Sequence, residues 1–135
     1  MKFLNFADQH GVDVFYVSGR AKKNKDDTMA TLKKLGLPQV VDNHVYLVFY
    51  GPAKSEIRNK ITADDHDIVM LLGDSLADLS GIFEDKTVPE QRKAVMKNAD
   101  HFGADWIEFP NASYGSWSGA ELDTWGRPIK VDEKK

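Results

Sequence analysis

The stretch DIVMLLGDSLADLS, residues 67–80, decides the fold. Five apolar residues, Ile68 to Leu72, run without interruption into Gly73-Asp74, and a second carboxylate, Asp78, follows four residues later. A short continuous apolar run that stops on Gly-Asp reads as a strand buried on both faces of a parallel sheet, not as an alternating strand with one wet face. The four-residue spacing sets Asp78 one helical turn beyond Asp74. A buried strand that delivers a charge to its end implies a cation for that charge, because an isolated ionised carboxylate is costly to desolvate.

Outward from this stretch the same alternation repeats. VDVFYVSGR (12–20) predicts a strand through Val12 and Val14 to Val17 that ends in Ser18-Gly19-Arg20. Before it, FLNFADQHG (3–11) predicts an amphipathic helix with Phe3, Leu4 and Ala7 inward and Gly11 closing it at C′. KNKDDTMATLKKLGL (23–37) has helical spacing at Met29, Leu32 and Leu35, with Asp26 or Asp27 to start it and Gly36 to stop it, and Pro38 enforces the break. HVYLVFYG (44–51) predicts the next strand, PAKSEIRNKI (52–61) a helix opened by Pro52, and VPEQRKAVMKNADHFG (88–103) a helix with Val95, Met96 and Ala99 apolar and Gly103 at its end. DWIEFPN (105–111) predicts a last strand stopped by Pro110. Apolar strands alternating with helices mean βαβ units and a parallel sheet, so the fold class is α/β. Residues 1–122 are expected to form the domain and 123–135 a polar tail.

Composition bounds the function. The chain has 135 residues, enough for one ordinary domain, with 41% hydrophobic and 29% charged residues and a net charge of −3. The lysines are scattered among a larger number of acids, which argues against polymeric nucleic acid as a partner. No cysteine is present, which excludes disulfides and thiolate metal sites, and His10, His44, His66 and His101 lack metal-ligand spacing and read as structural or solvated. The apolar opening is broken by Asn5 and ends at Asp8, too short for the core of a signal peptide, and no stretch approaches a membrane span.

Ligands of open α/β sheets bind outside the carboxyl ends of the strands. Three predicted strands carry polar chemistry there: Ser18 after the first, the loop leading to Lys54 after the second, and Asp74 after the third. A serine hydroxyl with neighbouring backbone N–H groups can hold phosphate oxygens, and a lysine adds a compact positive charge for the same anion. Two carboxylates at Asp74 and Asp78 suit Mg²⁺, which takes oxygen ligands and keeps several waters. Each residue has a plainer role open to it: Ser18 as a turn or cap residue, Lys54 as a solvated lysine, Asp78 as a charge at a helix N-terminus. In FPNASYGSWSG (109–119) the glycines and serines around Tyr114 and Trp117 make a loop able to offer rings for stacking on a base or sugar, while Trp117 could equally plug the core. NAS at 111–113 also matches the N-glycosylation sequon, which nothing else in the sequence supports.

Taken in order, VFYVSGR, AKSEIR, VMLLGDSLADL and FPNASYGSW resemble the class C bacterial acid phosphatases of the haloacid dehalogenase superfamily, a group that includes lipoprotein acid phosphatase/5′-nucleotidases. The resemblance runs from Phe3 to about Leu122. It implies a Rossmann-like core and a Mg²⁺-dependent phosphomonoesterase that acts through an aspartyl-phosphate, with nucleoside monophosphates as substrates. It further implies that Ser18 and Gly19 bind the transferring phosphoryl group, and that Lys54 neutralises phosphate and nucleophile. Asp74 would then bind the metal, Asp78 the metal or its waters, and Tyr114 would pack on the nucleoside. Members are typically exported or lipid-anchored in bacteria.

One departure stands beside these matches. Family members begin with a strand ending in D-x-D, which supplies the nucleophile and a second metal ligand, and no apolar strand of this sequence ends that way. The paired acids at 64–65 and 26–27 sit in polar surroundings. The expectation is therefore a haloacid dehalogenase core missing its first, central strand, a fragment that is inactive alone. The strands that normally flank the missing one would expose edges, a route to self-association. Two alternatives compete with a catalytic origin: a non-catalytic phosphate or nucleotide-binding domain, and a half-domain completed by another polypeptide.

Overall fold

The computed structural model describes residues 2–49 and 51–111, together with the backbone of 123–124 and 127–128. The chain divides into two compact units, Met1–Asp67 and Ile68–Lys135.

The first unit runs α1 (Lys2–Gln9), β1 (Tyr16–Ser18), α2 (Lys25–Lys34), β2 (Val45–Leu47) and α3 (Lys54–Ala63). β1 and β2 pair in parallel, with Tyr16 opposite Val45 and Ser18 opposite Leu47, so β1-α2-β2 is the crossover that the sequence predicts. α2 carries Asp26 and Asp27 in its first turn and Lys33 and Lys34 in its last, both complementary to the helix dipole. Gly36 follows at φ +72°, and Leu37 N–H reaches back to Leu32 O at 3.2 Å, which closes the helix. Val40, Val45 and Leu47 form the core here, with Tyr16, Met29, Leu32 and Leu37 packed on it.

Two apolar positions differ from expectation in this unit. Leu35 is half exposed because α2 stops at Lys34 and Leu35 is its cap. Phe3 is also half exposed: α1 turns Leu4 and Ala7 partly inward but buries no residue fully. What ties α1 to the rest is Gln39, whose Oε1 accepts from Val14 N at 2.9 Å and whose Nε2 donates to Asp8 Oδ1 at 2.7 Å and Val12 O at 3.0 Å. Nearby, the Tyr16 hydroxyl donates to Pro38 O at 2.6 Å, and its pKa is pushed up by burial and then by the charge of Asp8.

The second unit runs β3 (Leu71–Gly73), α4 (Leu76–Leu79), α5 (Val88–Lys97), β4 (Trp106–Glu108), and the short antiparallel pair β5 (Asp123–Thr124) and β6 (Arg127–Pro128). β3 and β4 pair in parallel, Leu71 opposite Trp106 and Gly73 opposite Glu108. The pairing reaches one step beyond each end, through Leu71 N–H to Asp105 O at 2.8 Å and Phe109 N–H to Gly73 O at 2.7 Å. Among the described residues of this unit, Leu79 and Phe83 are buried. The Phe83 ring meets Phe102 and Trp106 edge-on, and His101 stacks on Trp106 with centroids 4.5 Å apart.

The strand at 67–74 is shorter than its apolar run and is not buried on both faces. Val69 is 65% exposed and Leu72 40%. Among the described residues β3 has one neighbour, β4, and a two-stranded pair leaves an edge and much of its faces to solvent. α5 is likewise shorter than predicted. It ends at Lys97, Asn98 Nδ2 donates to Ala94 O at 2.8 Å, and residues 99–101 form a separate 3-10 turn. Met96, expected on an apolar face, is largely exposed, and Ala99 falls in that turn. The reading of 123–135 as a polar tail lies outside the described residues apart from the β5 and β6 backbone.

Candidate active site

The predicted site residues fall in both units: Ser18, Gly19 and Lys54 in the first, Asp74 and Asp78 in the second. In the first unit, Ser18 is the last residue of β1 and is half-buried. The loop after it is anchored by Val48 N–H to Ser18 O at 2.9 Å and Phe49 N–H to Arg20 O at 3.2 Å, so β2 continues to support the chain that leaves β1. The Arg20 guanidinium reaches Thr28 Oγ1 at 3.5 Å, and Thr28 is buried in α2. Gly19 is exposed, and a Cβ there would meet nothing within 4 Å. Lys54 opens α3, which packs against β1, and Glu56 reaches back to Ala53 N–H at 3.0 Å to secure that helix start. A cavity of about 240 Å³ lies along β2 between Lys22, Lys25, Pro52 and Ile57, and neither Ser18 nor Lys54 lines it.

In the second unit the turn after β3 is tightly built. Ser75 precedes α4, and Asp78 N–H donates to Ser75 O at 2.8 Å. That turn swings the Asp78 carboxylate back over Gly73, where Oδ2 accepts from Asp74 N–H at 3.1 Å. Glycine is required at 73: a Cβ would overlap the Asp78 Cβ and lie 2.7 Å from its Oδ2. Asp74 itself is exposed, and its Oδ2 accepts from Asn111 Nδ2 at 3.0 Å. Glu108, opposite Gly73 across the ladder, is exposed as a residue, yet its carboxyl is partly desolvated. That desolvation and then the charge of Asp78 raise its pKa.

A family model described as HAD superfamily, subfamily IIIB (acid phosphatase) matches residues 1–117. The chain belongs to that family. Two solved structures of the class C acid phosphatase from Bacillus anthracis are similar to it, each at 36% identity. One superposes with a TM-score of 0.77 over 87% of this chain and 49% of its own; the other, with tungstate bound, gives 0.81 over 97% of this chain and 54% of its own. The chain thus spans about half the length of the structures it resembles. The α/β class with parallel strands is the fold of this acid phosphatase family.

Two residues of the second unit have roles that sequence reasoning did not assign. Asn111 stands out in the sequence only as part of the PNASYGSW block and of the NAS sequon, and its contact with Asp74 depends on where β4 ends. Glu108 gave no signal at all, since its proximity to Asp78 follows from strand register. Tyr114 and Trp117 lie outside the described residues. Each histidine has a partner within its own unit: His44 Nδ1 lies 3.0 Å from Val14 O, His101 pairs with Asp105, His66 with Asp13, and His10 with Phe6 O. Among the described residues no group of three or more His, Cys, Asp or Glu is placed to hold a metal ion, so the candidate centre rests on the two carboxylates Asp74 and Asp78. Hard oxygen donors in that number fit Mg²⁺, which is commonly bound by one or two carboxylates with water completing the shell.

Proposed function

We propose that this chain is part of a Mg²⁺-dependent phosphomonoesterase acting on nucleoside monophosphates through an aspartyl-phosphate. The observation that carries this reading is the match over residues 1–117, joined to a β3–α4 turn shaped so that only glycine fits at 73 beneath Asp78. Asp74 and Asp78 are the residues that would hold the metal. When bound, the metal supplies positive charge to screen phosphate oxygens. Ser18 donates its hydroxyl to the phosphoryl group, the Gly19 backbone gives a further N–H, Lys54 balances the phosphate charge, and Tyr114 packs on the nucleoside. The carboxylate nucleophile is not among the 135 residues, because no apolar strand in them ends in D-x-D.

The expected result with a chromogenic phosphate ester and Mg²⁺ is no turnover by these 135 residues alone. Calorimetric titration with a nucleoside monophosphate and Mg²⁺ is expected to show binding that Asp74→Asn removes. Turnover at an ordinary enzyme's rate, or binding indifferent to Asp74→Asn, would refute the assignment. Binding without turnover that persists after a D-x-D segment is supplied would favour a non-catalytic nucleotide-binding domain.

A second reading draws on the pairing pattern. Among the described residues β1 pairs only with β2, and β3 only with β4. On the described pairing alone, each offers an edge of backbone donors and acceptors to another strand. In this reading the chain is completed by a polypeptide bearing the D-x-D strand, and without it self-associates through those edges. Mixing with such a segment should restore phosphatase activity and dissolve any self-association seen by light scattering. A monodisperse monomer that gains nothing from the segment would exclude this reading.

A further inference from the structure

The inference here rests on the metal-binding role proposed for Asp74. The parallel pairing of β3 with β4 ends when Phe109 N–H reaches Gly73 O at 2.7 Å. Pro110 has no N–H to continue the ladder. Asn111 comes next, half-buried, and its Nδ2 crosses to Asp74 Oδ2 at 3.0 Å. On the other side the Asp74 backbone N–H is held by Asp78 Oδ2 at 3.1 Å. Asp74 is thus gripped at its backbone by one side chain and at one carboxylate oxygen by another.

We infer that Asn111 is a positioning residue for a divalent cation on Asp74. A lysine or arginine in its place would pair with the carboxylate and compete with the cation, and an acid would repel Asp74. A neutral amide donor fixes one oxygen, leaves the full negative charge in place, and leaves Oδ1 for the cation. Such outer partners orient a ligating carboxylate, and losing one typically weakens metal affinity about 10–100-fold.

The test uses the 135-residue chain and Mn²⁺ as the probe, with free Mn²⁺ counted by electron paramagnetic resonance well below the melting temperature. Four proteins are compared: the parent, Asp74→Asn, Asn111→Ala and Asn111→Leu, the last keeping side-chain bulk without a donor. Saturable binding by the parent, loss in Asp74→Asn, and Kd raised about 10–100-fold in both Asn111 variants is the expected set. Metal-free melting temperatures of the Asn111 variants should stay near the parent's. A merely structural role would do the reverse, lowering the metal-free melting temperature and leaving Kd of the folded protein unchanged. If Asp74→Asn loses Mn²⁺ while both Asn111 variants bind as the parent does, the positioning role is wrong and the metal assignment stands. If the parent shows no saturable binding, or Asp74→Asn binds as well as the parent, both are overturned.

Discussion

Gly73→Ala gives the most direct test of how the carboxylate turn is built. The added methyl would lie 2.7 Å from Asp78 Oδ2 and 2.9 Å from Cγ, with the Asp78 Cβ overlapping it. Ordinary contact begins near 3.4 Å, so the carboxylate has to retreat by about 0.7 Å or more and its 3.1 Å bond to Asp74 N–H breaks. Overpacking of this kind costs about 1–3 kcal/mol and the lost hydrogen bond about 1 kcal/mol. Alanine recovers about 0.5–1 kcal/mol through its lower unfolded-state entropy. A net loss of about 2 kcal/mol follows, on the order of 5–10 °C in melting temperature if all 135 residues melt together. The assay is thermal or urea unfolding of four proteins: parent, Gly73→Ala, Asp78→Gly and the double variant. Removing the Asp78 side chain should make the second Gly73 substitution nearly free, a coupling of about 2 kcal/mol between the two sites. A Gly73→Ala protein as stable as the parent, or a double variant whose costs simply add, would refute the close approach and with it the reason for glycine at this position.

Two further outcomes probe other parts of the chain. Gln39→Ala should cost about 2 kcal/mol, because it leaves the N–H of buried Val14 without its 2.9 Å partner and releases Asp8 and Val12 together; an unchanged urea midpoint would mean that α1 does not depend on this side chain. At the start of α5, the Thr87 hydroxyl and backbone N–H donate to Glu90 Oε2 at 2.6 and 2.8 Å and hold its pKa below the ordinary 4.5. A carboxyl lowered by folding contributes stability that is present above its unfolded pKa and lost as pH falls through the folded one. Acid titration of helical circular dichroism should therefore show a step below pH 4.5 that Glu90→Gln removes, and an identical acid limb in both proteins would count against the cap.

What the sequence made legible followed from local rules. Gly11 and Gly36 both stand at positive φ just past helices, where periodicity and composition placed them. The parallel pairs β1–β2 and β3–β4 come from the alternation of apolar runs with helices. The positions of Asp74 just after β3 and of Asp78 in α4 are legible because a strand end and a four-residue spacing are written in consecutive letters. Other features depend on partners that no local rule names. The apolar letters of Val69 and Leu72 say that these residues can be buried, while a neighbouring strand decides whether they are. Gln39 falls between the predicted elements and carries no motif, yet it bonds to the chain 25 and 31 positions away. Asn111 is 37 residues from Asp74, and only the register of β3 with β4 brings the two together.

The placement of the aromatic residues has an optical consequence. Trp106, Trp117 and Trp125 all belong to the second unit, whereas the first has no tryptophan and its tyrosines are Tyr16, Tyr46 and Tyr50. Indole emission excited at long wavelength therefore reports on one unit only. Trp106, packed against His101, Phe83 and Phe102, cannot meet solvent fully until that ring cluster comes apart. Unfolding followed by indole emission and by peptide circular dichroism would coincide if the units melt together and separate if they do not, with no label attached.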